Sequence, residues 1–205
     1  WYQKKGGWIT QRGETHNIIE DHSNAETVFQ NLVQYLWNAG ARVYTTRERD
    51  MNTNMVIVDN EDEGYSETGS WVTFRGGSSY KDSARYAKTV KDHATATATF
   101  TPNIPADGYY AVYVWYPTRL SEYDAVSTKT QITIHHNGDA TVWTQNQNRD
   151  GMTWKYIGTY YFQAGRHPET GSVVISNANT SSKQMVVADA VRFGGGIGTS
   201  GHPRW

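Results

Sequence analysis

The chain has 205 residues, a formal net charge of −1, no cysteine and a mean hydropathy of −0.70. Without cysteine it can form no disulfide framework, no thiolate metal site and no cysteine nucleophile, and its near-neutral charge argues against non-specific nucleic-acid binding. No apolar run approaches the roughly 20 residues that a membrane-spanning helix needs. The length is sufficient for one domain with a sizeable core, or for a domain with an appendage.

Aromatic residues are the most informative part of the composition. There are eight Trp, fourteen Tyr and five Phe, whereas charged residues make up only 19% of the chain. Tyr, Trp, Thr and Val favour strands, and Gly, Asn, Asp and Ser favour turns, so most of the chain is predicted to be β. Aromatic surfaces are common on β-proteins that bind polysaccharides, but β-sandwich cores are aromatic too, and composition leaves both interpretations open.

Residues 1–56 are predicted to form a helix–strand segment. The spacing of apolar residues indicates an amphipathic helix over about 17–39, with Gly40 at the position of a C′ glycine and a strand at 42–46. This is about half of a βαβ unit, which cannot bury both faces of its helix. We therefore expect the segment to belong to a larger α/β domain, or to pack on the β domain or another chain. The chain opens at Trp1 without a targeting pattern, so we expect a processed or excised piece.

From about residue 57 the pattern changes to the period of two that is typical of strands. Short strands separated by turn sequences such as Asn137-Gly138, with no helices between them, predict a mainly β fold. The expected architecture is an antiparallel β-sandwich, jelly-roll-like, over 57–195, followed by a linker stub at 196–205. The predicted strands lie at 94–101, 109–116, 131–136, 154–162, 171–176 and 185–193.

The strand at 109–116 carries the first candidate binding site. One face holds both β-branched residues and is the better core candidate, which leaves Tyr109, Tyr113 and Trp115 on the outer face. Positions on such a face repeat about every 6.5–7 Å, a spacing at which rings can stack on successive sugars. Trp143 and Trp154 are further candidates. The alternative is that residues 1–58 or another chain cover this face.

Asp189 is the second candidate, because it shares a face with apolar residues of the predicted strand at 185–193. An unpaired buried carboxylate is too costly, so it must find donors or a cation. Calcium would satisfy it, with Asp59, Glu61 or Asp62 as co-ligands. Hydrogen bonds from backbone amides, or an arginine, are the plainer explanation.

A third candidate is a group of histidines and carboxylates at the start of the predicted helix. Such residues could ligate a divalent metal, but acidic residues in a first helical turn are also favoured by the helix dipole alone. The sequence has no nucleophile elbow, phosphate-binding glycine loop or two-histidine zinc signature. The residues of this group are Glu14, His16, Glu20, Asp21 and His22.

A set of short motifs along the β region supports a family resemblance. The most specific is VVADAVRF at 186–193, and the others lie at 58–60, 64–66, 69–71, 94–97, 108–114, 135–136, 158–160 and 162. With these motifs, residues 57–194 resemble the golvesin C-terminal domain, also described as the carbohydrate-binding-like domain of bacterial xanthan lyases. The resemblance implies a β-sandwich in a secreted or surface bacterial protein, generally a non-catalytic accessory module, and it assigns no binding residues. Trp115 departs from the polar or basic residue that members tend to carry there.

Residues 14–50 carry a separate set of motifs. Glu20 is followed by Asn24, an amphipathic helix, AGARV at 39–43 and TRERD at 46–50. This segment resembles part of a zinc-dependent N-acetylmuramoyl-L-alanine amidase, in which Glu20 would fall on the metal-binding glutamate. The two histidine segments of that family have no counterpart in the 205 residues, and one of three protein ligands does not hold an active zinc. Zinc is therefore expected only in a complete parent protein, and the chain as given is not expected to be a competent amidase.

Three functions from different classes follow. The first is a non-catalytic accessory module of a secreted bacterial protein that binds or anchors to extracellular polysaccharide or cell-wall glycan through its surface aromatics. The second is a structural or assembly module, in which the aromatic face and residues 1–58 pack within a larger enzyme or a homo-oligomer. The third is a fragment of a peptidoglycan amidase. Secreted or cell-surface localisation is implied by the resemblance, and neither nucleic-acid binding nor a membrane span is expected.

Overall fold

The strands of the protein build an antiparallel β-sandwich, in agreement with the mainly β fold that the sequence predicts. The computed structural model describes residues 54–120, 125–179 and 183–195, together with residue 52 and short pieces of the first 41 residues. Within these described residues, no helix is both long enough and apolar enough to cross a bilayer.

The described residues include eighteen strands. In chain order they are β1 (Tyr2–Lys4), β2 (Gly7–Ile9), β3 (Glu14–Thr15), β4 (Ile18–Ile19), β5 (Met55–Asp59), β6 (Tyr65–Thr68), β7 (Val72–Phe74), β8 (Ala84–Lys88), β9 (Val90–Lys91), β10 (Thr97–Phe100), β11 (Gly108–Trp115), β12 (Thr130–His136), β13 (Asp139–Gln145), β14 (Lys155–Phe162), β15 (Gly171–Ser176), β16 (Ala178–Asn179), β17 (Met185–Ala188) and β18 (Ala190–Gly194).

Two antiparallel sheets form the sandwich. One has four strands in the order β14-β11-β18-β5, and the other has five in the order β13-β12-β15-β10-β6. A three-stranded sheet, β17-β8-β7, and a parallel pair, β16-β9, complete the β region. The central strand β11 pairs with β14 on one side and with β18 on the other, so its outward side chains lie in the middle of the four-stranded sheet.

The core lies between the two main sheets. On β11 the side chains of Tyr110, Val112 and Val114 are at most 1% exposed, and they join one apolar cluster with Ile132 and Ile134 of the five-stranded sheet. Removing these side chains from water is the dominant favourable contribution to folding. Because strand side chains alternate between faces, the same burial leaves the intervening residues of β11 on the outer face, as predicted.

Asn137-Gly138 forms the predicted turn between β12 and β13. Both residues have positive φ, 45° and 82°, the backbone conformation that a tight hairpin with right-handed strand twist requires. Asparagine and glycine are the residues that adopt it at least cost. The turn sets the hairpin register, in which His136 lies opposite Asp139.

The strand predicted at 185–193 is divided by Asp189. Its first part, β17, belongs to the three-stranded sheet, whereas its second part, β18, belongs to the four-stranded sheet. At the division the backbone carbonyl of Asp189 accepts a hydrogen bond of 2.9 Å from the amide of Asn60. The chain therefore changes sheets at Asp189, which a continuous apolar pattern in the sequence does not reveal.

The N-terminal helix prediction is wrong at its start. Ile18–Ile19 form β4, which pairs with Glu14–Thr15 of β3 instead of opening a helix, in keeping with the strand preference of β-branched residues. Helical backbone occurs further on, at Val28, at Leu32 and at 35–36. The predicted strand at 42–46 and the linker stub at 196–205 lie outside the described residues.

Gly40 occupies the predicted C′ position at the end of that helical backbone. Its φ is +83°, and the amide of Ala41 donates a 2.9 Å hydrogen bond to the carbonyl of Leu36. This six-residue closure is the bond that defines a Schellman helix end. The sequence signal for the end of the helix is thus confirmed, although the signal for its start is not.

Candidate functional site

The outer face of the four-stranded sheet carries three aromatic pairs. Each pair joins a residue of β11 to a residue of β14 or of the position just before β14. We call these six residues the aromatic ladder. The pairs are Tyr109–Tyr161, Tyr113–Tyr156 and Trp115–Trp154, with ring centroids 5.4, 5.6 and 5.6 Å apart. Tilted and edge-on pairs at these distances attract each other beyond the effect of burial.

A β-bulge keeps the ladder on one face. Val112 lies opposite Gly158, and the next residue, Tyr113, lies opposite Tyr156, so the register skips Ile157. Without the bulge, Tyr113 would face Ile157, whose side chain is fully buried. The extra residue therefore moves the ring of Tyr156 to the outer face beside Tyr113.

The ladder is open at one end and closed at the other. Tyr109 is 68% exposed, and Tyr113, Trp115 and Tyr161 are half-buried, but Trp154 is only 4% exposed. Three of the five aromatic residues predicted as a binding site thus lie as a row on the outer face. The fourth, Trp154, is buried and packs against Trp115 at the closed end of the row.

Tyr80 closes the buried end of the ladder. Its ring lies 4.9 Å from that of Trp154 and 5.8 Å from that of Trp115, measured between centroids. The indole N–H of Trp115 also donates a 3.2 Å hydrogen bond to the carbonyl of Ser78. The segment at 78–80 therefore covers part of Trp115. Sequence reasoning missed Tyr80 because it follows a Gly- and Ser-rich stretch that predicts only a loop.

Arg192 of β18 lies beside the middle of the ladder, opposite Tyr113 in the pairing of β11 with β18. Its guanidinium carbon is 3.9 Å from the centroid of Tyr113 and 5.4 Å from that of Trp154, and the residue is 4% exposed. A guanidinium over an aromatic face makes a favourable cation–π contact. Its Nε is buried and has no hydrogen-bond partner among the described residues. We infer that Arg192 holds the Tyr113 ring in place. The sequence gives no sign of this role, because Arg192 lies in an otherwise apolar strand.

Trp143 is not part of this face. It lies on β13, the edge strand of the five-stranded sheet, and is 36% exposed. Its indole N–H donates a 3.0 Å hydrogen bond to Oε1 of Gln145 on the same strand. The structure therefore brings four of the five predicted aromatic residues together and leaves the fifth on the other sheet.

Asp59 and Asp189 form a buried carboxylate pair beside the closed end of the ladder. Neither residue is exposed. The amide of Tyr80 donates to Oδ2 of Asp189 at 3.1 Å and to Oδ1 at 3.3 Å, which is the kind of backbone hydrogen bond that the sequence allowed as one alternative. Oδ1 of Asp59 accepts a 3.1 Å hydrogen bond from the amide of Glu61.

Burial raises the pKa of both carboxyls. Withdrawal from water brings the pKa of Asp189 to about 8, although the Tyr80 amide lowers it, while the charge of Asp59 raises it further. The pKa of Asp59 rises to about 6, again chiefly through burial, against the lowering effect of the Glu61 amide and the Lys81 ammonium. Each carboxyl is thus held in surroundings that disfavour its charged form.

The other carboxylates predicted as co-ligands have partners elsewhere. Asp62 accepts hydrogen bonds from Lys81, at 2.9 Å, and from the amide of Asp59, while Glu61 accepts one from the Ser83 hydroxyl at 2.7 Å. No group of three or more His, Asp or Glu side chains within the described residues is arranged to hold a metal ion. Glu20, the residue that the amidase resemblance assigns to zinc, lies outside the described residues.

A β-sandwich module with an aromatic outer face is the class of protein that these features define. The chain belongs to the golvesin C-terminal domain family, whose profile matches residues 56–195. The match agrees with the boundaries of the sequence resemblance. The amidase resemblance at 14–50 receives no support from the relatives and stays a prediction.

Two curated relatives and one solved structure match the same region. A xanthan lyase of Bacillus sp. strain GL1 is 39% identical over 145 residues, which are 67% of this chain and 14% of the lyase. Golvesin of Dictyostelium discoideum is 26% identical over 144 residues, 68% of this chain and 23% of that protein. The structure of a Paenibacillus xanthan lyase aligns at a TM-score of 0.59 and 30% identity over 69% of this chain and 13% of that chain. The chain therefore spans less than a quarter of the length of either curated relative.

Proposed function

We propose that the chain is a non-catalytic accessory module that binds or anchors to an extracellular polysaccharide through the aromatic ladder. The observation that carries the proposal is the row of three aromatic pairs on the outer face of the four-stranded sheet. Large rings that stay partly in water on a rigid sheet are suited to stacking on the apolar C–H faces of sugars.

The open end of the ladder is the expected point of contact. Tyr109 is the most exposed ring, and Tyr161 lies beside it on the neighbouring strand. Trp115, one of the three first candidates from the sequence, is partly covered by residues 78–80 and is expected to contribute less by direct contact. Trp154 acts as a support, and Trp143 contributes nothing to this face in the proposed mode.

The relatives support this choice of ligand class. A polysaccharide lyase contains a region that is 39% identical to this chain and makes up 14% of its length. A region that makes up so small a part of the enzyme is consistent with an accessory domain that holds the enzyme close to its polymer. For this chain we propose the same kind of role in a secreted or cell-surface bacterial protein, with polysaccharide or cell-wall glycan as the partner.

Replacing Tyr109 by alanine is expected to weaken polysaccharide binding by about fivefold, because a well-stacked ring contributes on the order of 1 kcal/mol and a factor of ten corresponds to about 1.4 kcal/mol. Affinity electrophoresis in gels that contain xanthan, chitin fragments or soluble peptidoglycan fragments measures this as lost retardation. Val142→Ala is the matched control, since Val142 is 62% exposed on the other sheet. Equal retardation of both variants and the unmodified chain would contradict binding through the ladder.

Assembly is the second candidate function, and one observation favours it. Four apolar side chains of the N-terminal helical backbone are exposed, which leaves them free to contact another domain or another copy. Assembly through them predicts that sedimentation velocity shows mass increasing with concentration, whereas a concentration-independent monomer would contradict it. The residues are Val28, Leu32, Tyr35 and Leu36, at 42, 52, 72 and 41% exposure.

A further inference from the structure

We propose that Asp59 and Asp189 bind a calcium ion, together with neutral oxygen atoms of Asn60 and Ser79. The proposal is independent of the polysaccharide function, because it concerns a different set of side chains. It follows from the way three chain segments meet, from oxygen atoms that lack partners, and from the balance of charge.

Three segments that are far apart in sequence meet at Asp189. The amide of Asn60 donates to the backbone carbonyl of Asp189 at 2.9 Å, and the amide of Tyr80 donates to its carboxylate at 3.1 Å. Asp59 lies opposite Ala190 in the pairing of β5 with β18. Asp59, Asn60, Ser79 and Asp189 therefore belong to three chain segments that adjoin one another at Asp189.

Three buried oxygen atoms of this region have no hydrogen-bond partner among the described residues. They are Oδ2 of Asp59, Oδ1 of Asn60 and Oγ of Ser79. The three residues are at most 8% exposed. Buried polar atoms are almost always paired, because an unpaired one forfeits its hydration without compensation. Three such atoms on adjoining segments indicate that a group is needed to satisfy them together.

The charge of the region points to a cation as that group. Asp59 and Asp189 are both unexposed, and Asp59 pairs with Ala190, the residue that follows Asp189. Lys81 is the one cation paired with either of them in the described part of the chain, at 3.9 Å from Oδ1 of Asp59, and its ammonium lies closer to Asp62, at 2.9 Å. The Lys81 side chain is also 46% exposed. Lys81 therefore pairs with Asp59 and Asp62, and among the described residues no ion pair joins a cation to the carboxylate of Asp189.

The donor set favours calcium among the common metal ions. All four side chains offer oxygen, and none offers the nitrogen or sulfur that zinc and copper prefer. The donors are carboxylates, an amide carbonyl and a hydroxyl, and they come from three separate chain segments. Such a set suits the flexible coordination of Ca²⁺ better than the strict octahedron of Mg²⁺. Backbone carbonyls or water would complete the coordination.

Calcium at this position would also stabilise the closed end of the aromatic ladder. The Tyr80 amide is bound to Asp189, and the Tyr80 ring packs on Trp115 and Trp154. An ion that fixes the Asp189 carboxylate therefore fixes the segment at 78–80. We expect Ca²⁺ to protect this segment from hydrogen exchange.

The test is isothermal titration of the full chain with CaCl₂ after removal of divalent ions with EDTA, together with thermal unfolding in Ca²⁺, Mg²⁺ or EDTA. The expected result is one saturable Ca²⁺ site and a thermal midpoint that rises with Ca²⁺ concentration and far less with Mg²⁺. Asp189→Asn and Asp59→Asn should each weaken Ca²⁺ binding about tenfold or more. Asp82→Asn removes the same charge from an exposed neighbouring position and should leave binding unchanged.

Ser79→Ala keeps both carboxylates and removes only one neutral oxygen, so it provides a second variant if the aspartate variants fail to fold. It should bind Ca²⁺ several-fold more weakly than the unmodified chain. Absence of binding heat together with equal midpoints in Ca²⁺ and EDTA would overturn the proposal. Full Ca²⁺ affinity in folded Asp59→Asn, Asp189→Asn or Ser79→Ala would overturn it as well, because the ion would then bind elsewhere.

Discussion

Replacing Phe162 by alanine is expected to lower the free energy of unfolding by about 4 kcal/mol, the cost typical of removing a large buried ring from a packed core. The Phe162 side chain has no exposure. Its ring lies 6.2 Å from that of Tyr110 and 5.4 Å from that of Phe193, so it connects the edge strand β14 to the two inner strands, β11 and β18, of the four-stranded sheet. Urea unfolding followed by circular dichroism measures the change as a lower transition midpoint.

The control for this substitution is Val142→Ala, which removes apolar atoms from a side chain that is 62% exposed. It should change the free energy of unfolding by no more than about 0.5 kcal/mol, as surface substitutions usually do. Similar losses for the two variants would mean that the cluster around Phe162 is not the core of the domain.

Replacing Asn177 by alanine is expected to cost about 2–4 kcal/mol, although the residue is polar and small, because unpaired buried groups each forfeit roughly 1–3 kcal/mol. Oδ1 of Asn177 accepts hydrogen bonds from the amides of Thr95 and Ala96, at 2.9 and 3.0 Å. Its Nδ2 donates to the carbonyl of Lys88 and to the hydroxyl of Thr95, at 2.9 and 3.0 Å. One 3% exposed side chain thus ties together the segments that flank β9.

Two further variants separate hydrogen bonding from volume at this position. Asn177→Leu keeps a similar volume and should be about as unstable as Asn177→Ala, because it leaves the same backbone groups unpaired. Asn103→Ala, at an exposed asparagine, should have little effect. If Asn177→Leu unfolds at the same urea concentration as the unmodified chain, the four hydrogen bonds do not stabilise the domain.

The strands with a strong local composition signal could be predicted from the sequence. The prediction at 171–176 coincides with β15, and that at 109–116 differs from β11 by one residue at each end. Both segments are rich in the β-branched or aromatic residues that favour strands, and turn-forming residues lie beside them in the sequence. The Asn137-Gly138 turn was predictable for a local reason, since its backbone conformation selects those residues.

Other strands could not be predicted because their signal is not local. β6 and β7 are short and largely exposed, and they exist through pairing with β10 and β8. The division at Asp189 arises because the chain leaves one sheet for another there, while the apolar pattern runs on. The start of the helix was misplaced because Ile18 and Ile19 fit a helical periodicity and a strand equally well.

At the candidate site, too, local features could be predicted from the sequence, whereas features that depend on tertiary contacts could not. Alternation on one strand was enough to place Tyr109, Tyr113 and Trp115 on the outer face. The partners that make the ladder come from β14 through a bulge, and Tyr80 and Arg192 reach it from segments that only the tertiary structure brings near. Burial of Asp189 could be foreseen from its apolar neighbours, but its meeting with Asp59, Asn60 and Ser79 could not.

Polysaccharide binding through the aromatic ladder is best tested by isothermal titration with a purified polysaccharide. The titration compares the unmodified protein with the double variant Tyr109→Ala/Tyr161→Ala. The double variant removes both rings at the open end of the ladder and leaves the buried support of Trp154 and Tyr80 in place. We expect saturable heat for the unmodified chain with at least one of xanthan, chitin fragments or peptidoglycan fragments. We expect no measurable heat for the double variant, which should remain folded at the temperature of the titration. Undiminished binding by the double variant, or no binding of any of these polymers by the unmodified chain, would contradict the account.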